Sequence, residues 1–206
     1  KEFSCEMHGS PTRRSMRIIT LKLNQYRNYE RLEFHPSSGM NVITGLNGAG
    51  KTNVLESVFL CAVGRSHRTS RDADLIMHGS SGASVILSLK NRFGDRTVRV
   101  KLPAGEHKSL FIDDAKCARS GELMGVLNAV MFAPEDMRIV KDAPAERRRF
   151  VDMEISQLRP AYYYALQRYN QALKQKNALL KTGTDRILME ALDEQLAAAG
   201  EVIMNG

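Results

Sequence analysis

The fold is decided by the stretch Gly45-Leu46-Asn47-Gly48-Ala49-Gly50-Lys51-Thr52, which fits the pattern GxxxxGK[ST] of a phosphate-binding loop. Glycines let the backbone curl so that successive N–H groups point at phosphate oxygens. The helix that follows directs the positive end of its dipole at the same phosphates. Lys51 is expected to bridge the β- and γ-phosphates, and the Thr52 hydroxyl to bind Mg²⁺. All eight residues are therefore predicted to form a nucleotide site.

The surroundings of the loop have the order that such a site requires. Residues 40–44 form a short apolar run that predicts a strand buried on both faces. Residues 51–63 are predicted to form a helix that ends at Gly64. Its apolar positions follow the 3.6-residue period, and they are Val54, Leu55, Val58, Phe59 and Ala62. This strand–loop–helix setting favours a functional loop over a glycine-rich turn that binds nothing.

The rest of the chain predicts an α/β protein. Residues 16–23 and 29–34 are predicted strands on either side of a polar turn, Asn24–Asn28. A meander is predicted from Ser84–Lys90, Arg96–Leu102 and Ser109–Asp113, and residues 127–133 give a further buried strand. Three helices are then predicted, at Pro144–Gln157, Pro160–Leu180 and Thr184–Ala199.

Composition narrows the classes of protein. Hydrophobic residues make up 43% of the 206 residues and charged residues 26%, which is typical of a globular chain. No apolar run reaches the ~18 residues of a membrane helix, so a spanning protein is excluded. Three scattered cysteines, Cys5, Cys61 and Cys117, favour a reducing cytoplasm. The net charge of +7 favours a polyanionic partner, although an ordinary basic protein would show it too.

The two ends of the chain lack the sequence patterns expected at the start and end of a folded domain. Residues 1–15 show neither a strand nor a helix period, and a β pattern opens at Met16. We interpret residues 1–15 as an upstream or vector-derived segment. The last residues, Met204-Asn205-Gly206, follow a helix without a capping pattern, which is the expected appearance of a truncated chain.

Among proteins with this loop, several classes can be compared. A GTPase should show an Asn/Thr-Lys-x-Asp motif that reads the base, and the sequence has none. A small-molecule kinase has an arginine-rich lid, a role that residues 147–149 could fill. The meander after the first helix instead favours an ATPase with an antiparallel side sheet. The kinase remains the alternative.

Several further motifs carry a resemblance to a known family. They are residues 24–29 (NQYRNY), 45–57 (GLNGAGKTNVLES), 64–72 (GRSHRTSRD), 132–136 (FAPED) and 144–152 (PAERRRFVD). In this order they resemble the RecF family of DNA replication and repair proteins, which are related to the ATPase heads of SMC proteins. The resemblance covers residues 16–181, and its most diagnostic parts are the stretches at 64–72 and 144–152.

The resemblance implies a P-loop NTPase of ABC-ATPase head type, with a mixed sheet, an antiparallel side meander and the start of a helical lobe. Residues 16–142 would form the ATP-binding lobe, and residues 143–206 would begin a helical-hairpin arm. It implies ATP and Mg²⁺ as cofactors, an ATP-dependent homodimer on DNA gaps or junctions, and weak DNA-dependent ATPase activity. RecR would be a partner, with RecO and RecA reached indirectly. Arg27 and Asn28 would approach the adenine or phosphate side of the nucleotide.

One departure from the family pattern is informative. The Walker B strand, the signature motif and the D-loop of ABC-type ATPases have no match in this sequence. Asp113-Asp114 mimics Walker B after an apolar run, but a β-turn is the favoured interpretation of the pair. The chain is therefore expected to be an N-terminal fragment that is inactive on its own.

Two cationic stretches are candidate contacts with DNA or with a second subunit. Four cationic or titratable residues follow the first helix, and they are Arg65, His67, Arg68 and Arg71. Residues 147–181 hold eight Lys and Arg against two acids, with tyrosines interleaved, and begin with Arg147 and Arg148. Much of this second stretch also follows a helical apolar stripe, so packing is the competing explanation. Pro134-Glu135-Asp136 stands where ABC-type proteins place the Q-loop.

Overall fold

The protein is described by a computed structural model for residues 16–133, 144–182 and 186–205. Six strands form one sheet in the order β2-β1-β3-β4-β5-β6, and every neighbouring pair is antiparallel. The strands are β1 Arg17–Tyr26, β2 Tyr29–Phe34, β3 Gly82–Asn91, β4 Gly94–Pro103, β5 Ser109–Ile112 and β6 Ala115–Lys116. Short 3₁₀ turns occupy Asp72–Leu75 and Ser120–Leu123. The predicted meander is confirmed: β3 and β4 begin two residues earlier and end one residue later than predicted, and β5 ends one residue earlier.

The core lies between this sheet and helix α1, Lys51–Val63. Alternate residues of β1, β3 and β4 point inward, as the two-residue period of a strand requires, and Leu21, Val85 and Val100 are fully buried. From α1, Phe59, Leu60 and Ala62 complete the same core. The helix lies across β3 and β4, and this contact fixes the position of its first turn and of the loop that precedes it.

Two predicted strands form no ladder in the described part of the chain. Residues 40–46 and 128–133 lack strand pairing. Large apolar side chains in them are exposed, including Met40 at 88%, Val42 at 76% and Phe132 at 75%. A run that is apolar on both faces becomes a strand only when neighbouring strands accept its backbone hydrogen bonds. The described residues supply no such neighbour, so the predicted mixed sheet is antiparallel throughout this part.

The aspartate pair at 113 and 114 forms the turn between β5 and β6. Both residues have positive φ, 49° and 67°, as a tight hairpin turn requires. Their carboxylates are engaged by the neighbouring strand: Asp113 pairs with Arg96 at 3.0 Å and Asp114 with Arg99 at 2.8 Å. The β-turn interpretation is confirmed.

Replacement of Asp114 by glycine should stabilise the protein by about 0.5 kcal/mol, because glycine adopts positive φ without strain. The lost ion pair to Arg99 costs little, since the Asp114 side chain is 76% exposed. Urea unfolding of Asp114→Gly and wild type measures the difference. Asp114→Ala is the matched control and should destabilise, because it loses the same ion pair and keeps the strained backbone.

Three helices follow, close to their predicted bounds: α2 Pro144–Leu158, α3 Pro160–Thr182 and α4 Arg186–Met204. Helices α3 and α4 run antiparallel, because Lys176 pairs with Asp193 while Arg159 donates to the backbone oxygen of Asn205. The predicted helical hairpin is therefore present. None of the described helices is apolar over the length that crossing a membrane would need. The division into an ATP-binding lobe and a helical lobe stays a prediction.

Candidate nucleotide site

The predicted phosphate-binding loop joins residues 40–46 to helix α1. Gly48 has φ 83° and Gly50 has φ 96°, a region that only glycine enters at low cost. Helix α1 begins at Lys51, directly after Gly50, and Gly50 has no side chain to cap it. The first-turn amides of a helix without a side-chain cap suit a phosphate acceptor. The loop therefore has the backbone shape that the sequence pattern predicts.

Lys51 lies across the mouth of the loop. Its Nζ donates to the carbonyl oxygen of Gly45 at 2.7 Å and to that of Leu46 at 2.8 Å. These two contacts hold the ammonium group against the first residues of the loop. Thr52, the predicted Mg²⁺ ligand, is the next residue of α1 and is exposed. The donors present, loop amides, an ammonium group and a hydroxyl, fit the phosphates and Mg²⁺ of a nucleotide.

The turn between β1 and β2 supports the loop from the side. The Asn28 Nδ2 donates to the carbonyl oxygen of Gly48 at 3.3 Å, and the Tyr29 hydroxyl donates to that of Ala49 at 3.4 Å. Asn53 on α1 donates in turn to Asn28 Oδ1 at 2.8 Å. Asn28 therefore contacts the loop, as a residue predicted for the nucleotide side should. Its contact with the nucleotide itself stays a prediction.

Gly50→Ala tests this close approach. A Cβ at position 50 would lie 2.6 Å from Asn28 Oδ1 and 2.9 Å from Tyr29 Cε2, in addition to the strain of φ 96°. We expect a loss of about 2 kcal/mol in the free energy of unfolding, and at least tenfold weaker binding of ATP. Denaturant titration and a fluorescent ATP analogue measure the two effects. Gly105→Ala is the control: it has φ 79° but open space around its Cβ, so ATP binding should be unchanged.

Arg27 is predicted for the nucleotide, and the structure shows its side chain tied to α1. Its Nε and Nη2 donate to the two carboxylate oxygens of Glu56 at 3.0 and 2.7 Å. Its Nη1 donates to the carbonyl oxygen of Asp74 at 2.8 Å. Arg27 therefore joins the β1–β2 turn, helix α1 and the 3₁₀ turn at Asp72–Leu75. This arrangement supports a positioning role, and its predicted nucleotide contact stays a prediction.

Glu56 is the residue of this network that the sequence reasoning missed. Its side chain is fully buried, and Ser66 donates a second short hydrogen bond to its Oε1. Burial by itself would raise the pKa of the Glu56 carboxyl. The hydrogen bonds from Arg27 and Ser66 outweigh it, so the pKa is lowered from 4.5. No local pattern revealed it, because its partner Arg27 is 29 residues away in sequence. The predicted apolar stripe of α1 is also wrong at Leu55, whose side chain is 52% exposed.

The predicted cationic cluster after α1 divides into separate contacts. The Arg68 Nη1 donates to Asn53 Oδ1 at 3.3 Å, which puts Arg68 near the loop. Arg71 pairs with Asp74 at 3.8 Å, and the His67 ring meets Phe59 edge-on at 6.0 Å. Arg65 faces the other way, toward α2, where it lines one cavity with Arg148. Arg147 is exposed on the same helix.

Two predictions concern residues that the structure does not describe. The Q-loop candidate Pro134-Glu135-Asp136 and the segment 1–15 lie outside the described ranges. Within those ranges, no group of three His, Cys, Asp or Glu side chains is arranged to hold a metal ion. Any Mg²⁺ at Thr52 would therefore need oxygens of the nucleotide and water as further ligands.

The sequence is similar to that of curated RecF proteins. A family profile described as an AAA domain matches residues 20–108. The chain is 40% identical over 191 residues to the DNA replication and repair protein RecF of Clostridium acetobutylicum, covering 92% of this chain and 53% of that protein. It is 44% identical over 188 residues to RecF of Alkaliphilus oremlandii, covering 90% and 51%. The chain thus spans about half the length of the curated relatives it matches.

The structure is also similar to solved structures of RecF and of SMC ATPase heads. The recombination mediator protein RecF with ATP, from the RecFOR pathway, superposes with a TM-score of 0.87 at 30% identity. That match covers 96% of this chain and 54% of the other. An SMC ATPase structure, described for ATP-driven dimerisation and DNA-stimulated activation, superposes with a TM-score of 0.55 at 23% identity. It covers 66% of this chain and 98% of that one, and it shows the shared ABC-type head fold alone.

Proposed function

Since the chain is homologous to RecF proteins over about nine-tenths of its own length, we propose that it forms the ATP-binding part of a RecF-type DNA replication and repair ATPase. The resemblance predicted from the motifs is confirmed, and so is the ABC-type head fold. The homologous stretch includes the phosphate-binding loop, the NQYRNY turn and the GRSHRTSRD segment, which lie together in the structure.

One observation carries the nucleotide part of the proposal. The loop brings the Lys51 ammonium group over backbone amides that no side chain caps, and Asn28 and Tyr29 hold the loop from the side. Lys51 would neutralise the β- and γ-phosphates, and Thr52 would place its hydroxyl on Mg²⁺. The metal ion supplies charge neutralisation between the two phosphates when it is bound. The nucleotide that this site takes is ATP with Mg²⁺.

The wider activity follows from the RecF family and concerns the whole protein. ATP contacts that exist only in a closed homodimer would shift the equilibrium toward that dimer. The closed dimer would bind DNA at gaps or at single/double-strand junctions and recruit RecR, with RecO and RecA acting downstream. Weak DNA-dependent hydrolysis would reopen it. The 206-residue chain lacks Walker B and signature motifs, so alone it should bind ATP and hydrolyse almost none.

The test is equilibrium binding of a fluorescent ATP analogue to the 206-residue chain, with and without Mg²⁺. Saturable binding that ATP displaces, and that adenosine does not, supports the proposed site. A parallel assay of phosphoryl transfer to added small-molecule acceptors should stay at background. Transfer to an acceptor would favour the small-molecule kinase, and no binding by folded protein would contradict the nucleotide site.

A further inference from the structure

A cavity separate from the nucleotide loop lies between the end of α1 and helices α2 and α3. Its volume is about 500 Å³. Gly64 and Arg65 form one wall, Arg148 and Arg149 of α2 a second, and Tyr163 and Asn170 of α3 a third. Residues 65 and 149 are far apart in sequence, and the tertiary structure brings their side chains to one cavity.

The charge on this cavity is strongly one-sided. Arg65, Arg148 and Arg149 form no ion pair with any described residue within 4 Å. The fourth cation, Lys108, is already paired with Asp72 at 2.8 Å. One carboxylate lines the cavity, Asp152, and it accepts a hydrogen bond from the Tyr162 hydroxyl. A smaller adjoining cavity shares Arg65 and Arg149 and adds the carboxylates of Glu146 and Glu154.

Arg65 in particular lacks an acceptor suited to its charge. Among the described residues, its side chain donates to the thioether sulfur of Met153, 3.9 Å from Nη2, which is a weak partner for a guanidinium group. Loss of hydration lowers the pKa of Arg65, and the nearby charge of Arg149 lowers it further. Arg65 and Arg149 line the same cavity, and an anion bound there would offset the repulsion between their charges. A phosphate offers the paired oxygens that a guanidinium fork binds best.

The cavity continues along α3, which limits the shape of the anion. Asn170 lines both the cavity and a shallow groove on the outer face of α3. That groove is bordered by Lys174, Asn177 and Lys181. From position 170 to position 181 a helix rises about 16 Å. A free phosphate or a mononucleotide reaches one part of this track, whereas a polynucleotide backbone presents phosphates along all of it.

We propose that Arg65, Arg148 and Arg149 bind a backbone phosphate of DNA in this cavity, and that the strand continues along α3 past Lys174 and Lys181. The inference rests on the proposed function, which makes DNA the polyanion that this chain meets. It adds the location: the DNA contact lies at the junction of α1 with the helical hairpin, and not at the nucleotide loop.

The test is DNA binding by the 206-residue chain, measured by fluorescence anisotropy of a labelled gapped duplex over a series of salt concentrations. Arg65→Ala/Arg149→Ala should weaken binding at least tenfold at low salt, and should lower the slope of log K against log salt by about 2. The control is Arg92→Ala/Arg186→Ala, which removes the same charge. Arg92 stacks on Phe93 in the β3–β4 turn and Arg186 pairs with Glu190 on α4, so neither borders the track.

Three outcomes are distinguishable. Equal losses in both double variants would overturn the inference, because net charge alone would then explain DNA binding. A loss of ATP-analogue binding without loss of DNA binding would also overturn it, since the cavity would then serve the nucleotide. If the wild-type chain binds ATP but no DNA, the inference fails and the nucleotide part of the proposed function stands. Lys174→Ala/Lys181→Ala should give a smaller loss of DNA affinity, which keeps the proposal testable if the arginine variant unfolds.

Discussion

Lys51→Ala is expected to abolish nucleotide binding, with at least a hundredfold loss of affinity for ATP with Mg²⁺. Lys51 supplies the one side-chain cation that the described structure places over the loop, where its Nζ lies 2.7 and 2.8 Å from two loop carbonyl oxygens. Without it, the β- and γ-phosphates would meet backbone amides alone. A charge-assisted hydrogen bond to phosphate contributes about 1.5–3 kcal/mol, and Lys51 can make one to each phosphate.

The measurement is titration of the chain with a fluorescent ATP analogue. Lys51→Ala should lose little stability, because Lys51 is at the surface and its two hydrogen bonds tie down only the loop. Lys90→Ala is the matched control: it removes a lysine that is 65% exposed and paired with Asp95 at the far end of β3. Its ATP affinity should equal that of wild type. Unaltered ATP binding in Lys51→Ala would show that phosphates bind elsewhere.

Arg27→Ala is expected to lower the free energy of unfolding by about 3–5 kcal/mol, because it leaves the buried carboxylate of Glu56 without its cation. The carboxylate is fully buried, and Arg27 supplies two of its three hydrogen bonds. The same change frees the β1–β2 turn from α1, so ATP affinity should also fall, by about tenfold, through Asn28. Urea unfolding and ATP titration measure the two losses.

The double variant Arg27→Met/Glu56→Leu tests whether the loss of stability comes from leaving the Glu56 charge unpaired. Removal of both charges should cost less than Arg27→Ala alone, since no buried charge is then left unpaired. If the losses in free energy of unfolding caused by the Arg27 change and by Glu56→Leu simply add in the double variant, the two side chains do not interact and the prediction is contradicted. Arg31→Ala, on the exposed face of β2, is the control for loss of an arginine near the turn and should change stability by less than about 0.5 kcal/mol.

The same pair gives the stability a defined pH dependence. The pKa of Glu56 is lower in the folded protein than its ordinary value of 4.5. The unfolded chain therefore binds the proton more tightly, and stability falls as the pH drops below about 4.5 through the folded pKa. The Glu56→Gln variant should be less stable at neutral pH, but it should not show this fall in the free energy of unfolding at low pH. Urea unfolding at a series of pH values measures the difference.

Local patterns were sufficient for several parts of the structure. The GxxxxGKT pattern determined the loop, since the three glycines and the helix that follows are properties of consecutive residues. The β-rich runs predicted β3 and β4, and the helical character of the sequence from Pro144 onward predicted the three later helices, with bounds that differ from the observed ones by at most five residues. Proline at the first turn of α2 and α3 placed both starts.

Patterns failed where the outcome depends on distant residues. The apolar runs at 40–44 and 127–133 look like strands, but a strand needs a neighbour for its backbone hydrogen bonds, and none is present in the described part of the chain. Arg27 looked like a nucleotide ligand because it stands in a family motif. Its partner, Glu56, is 29 residues away in the sequence. Glu56 was not predicted because α1 was assigned from its apolar residues alone.

The sequence by itself predicted the class of site, because the phosphate-binding pattern lies in eight contiguous residues at the start of one helix. It also carried the resemblance to RecF proteins, through short motifs in a fixed order. Only the tertiary structure decided what those motifs contact: Asn28 the loop, Arg27 a buried carboxylate, and Arg65 the arginines of α2. The physical reason is that side-chain partners are set by how helices pack on the sheet, and such contacts join residues that no local period relates.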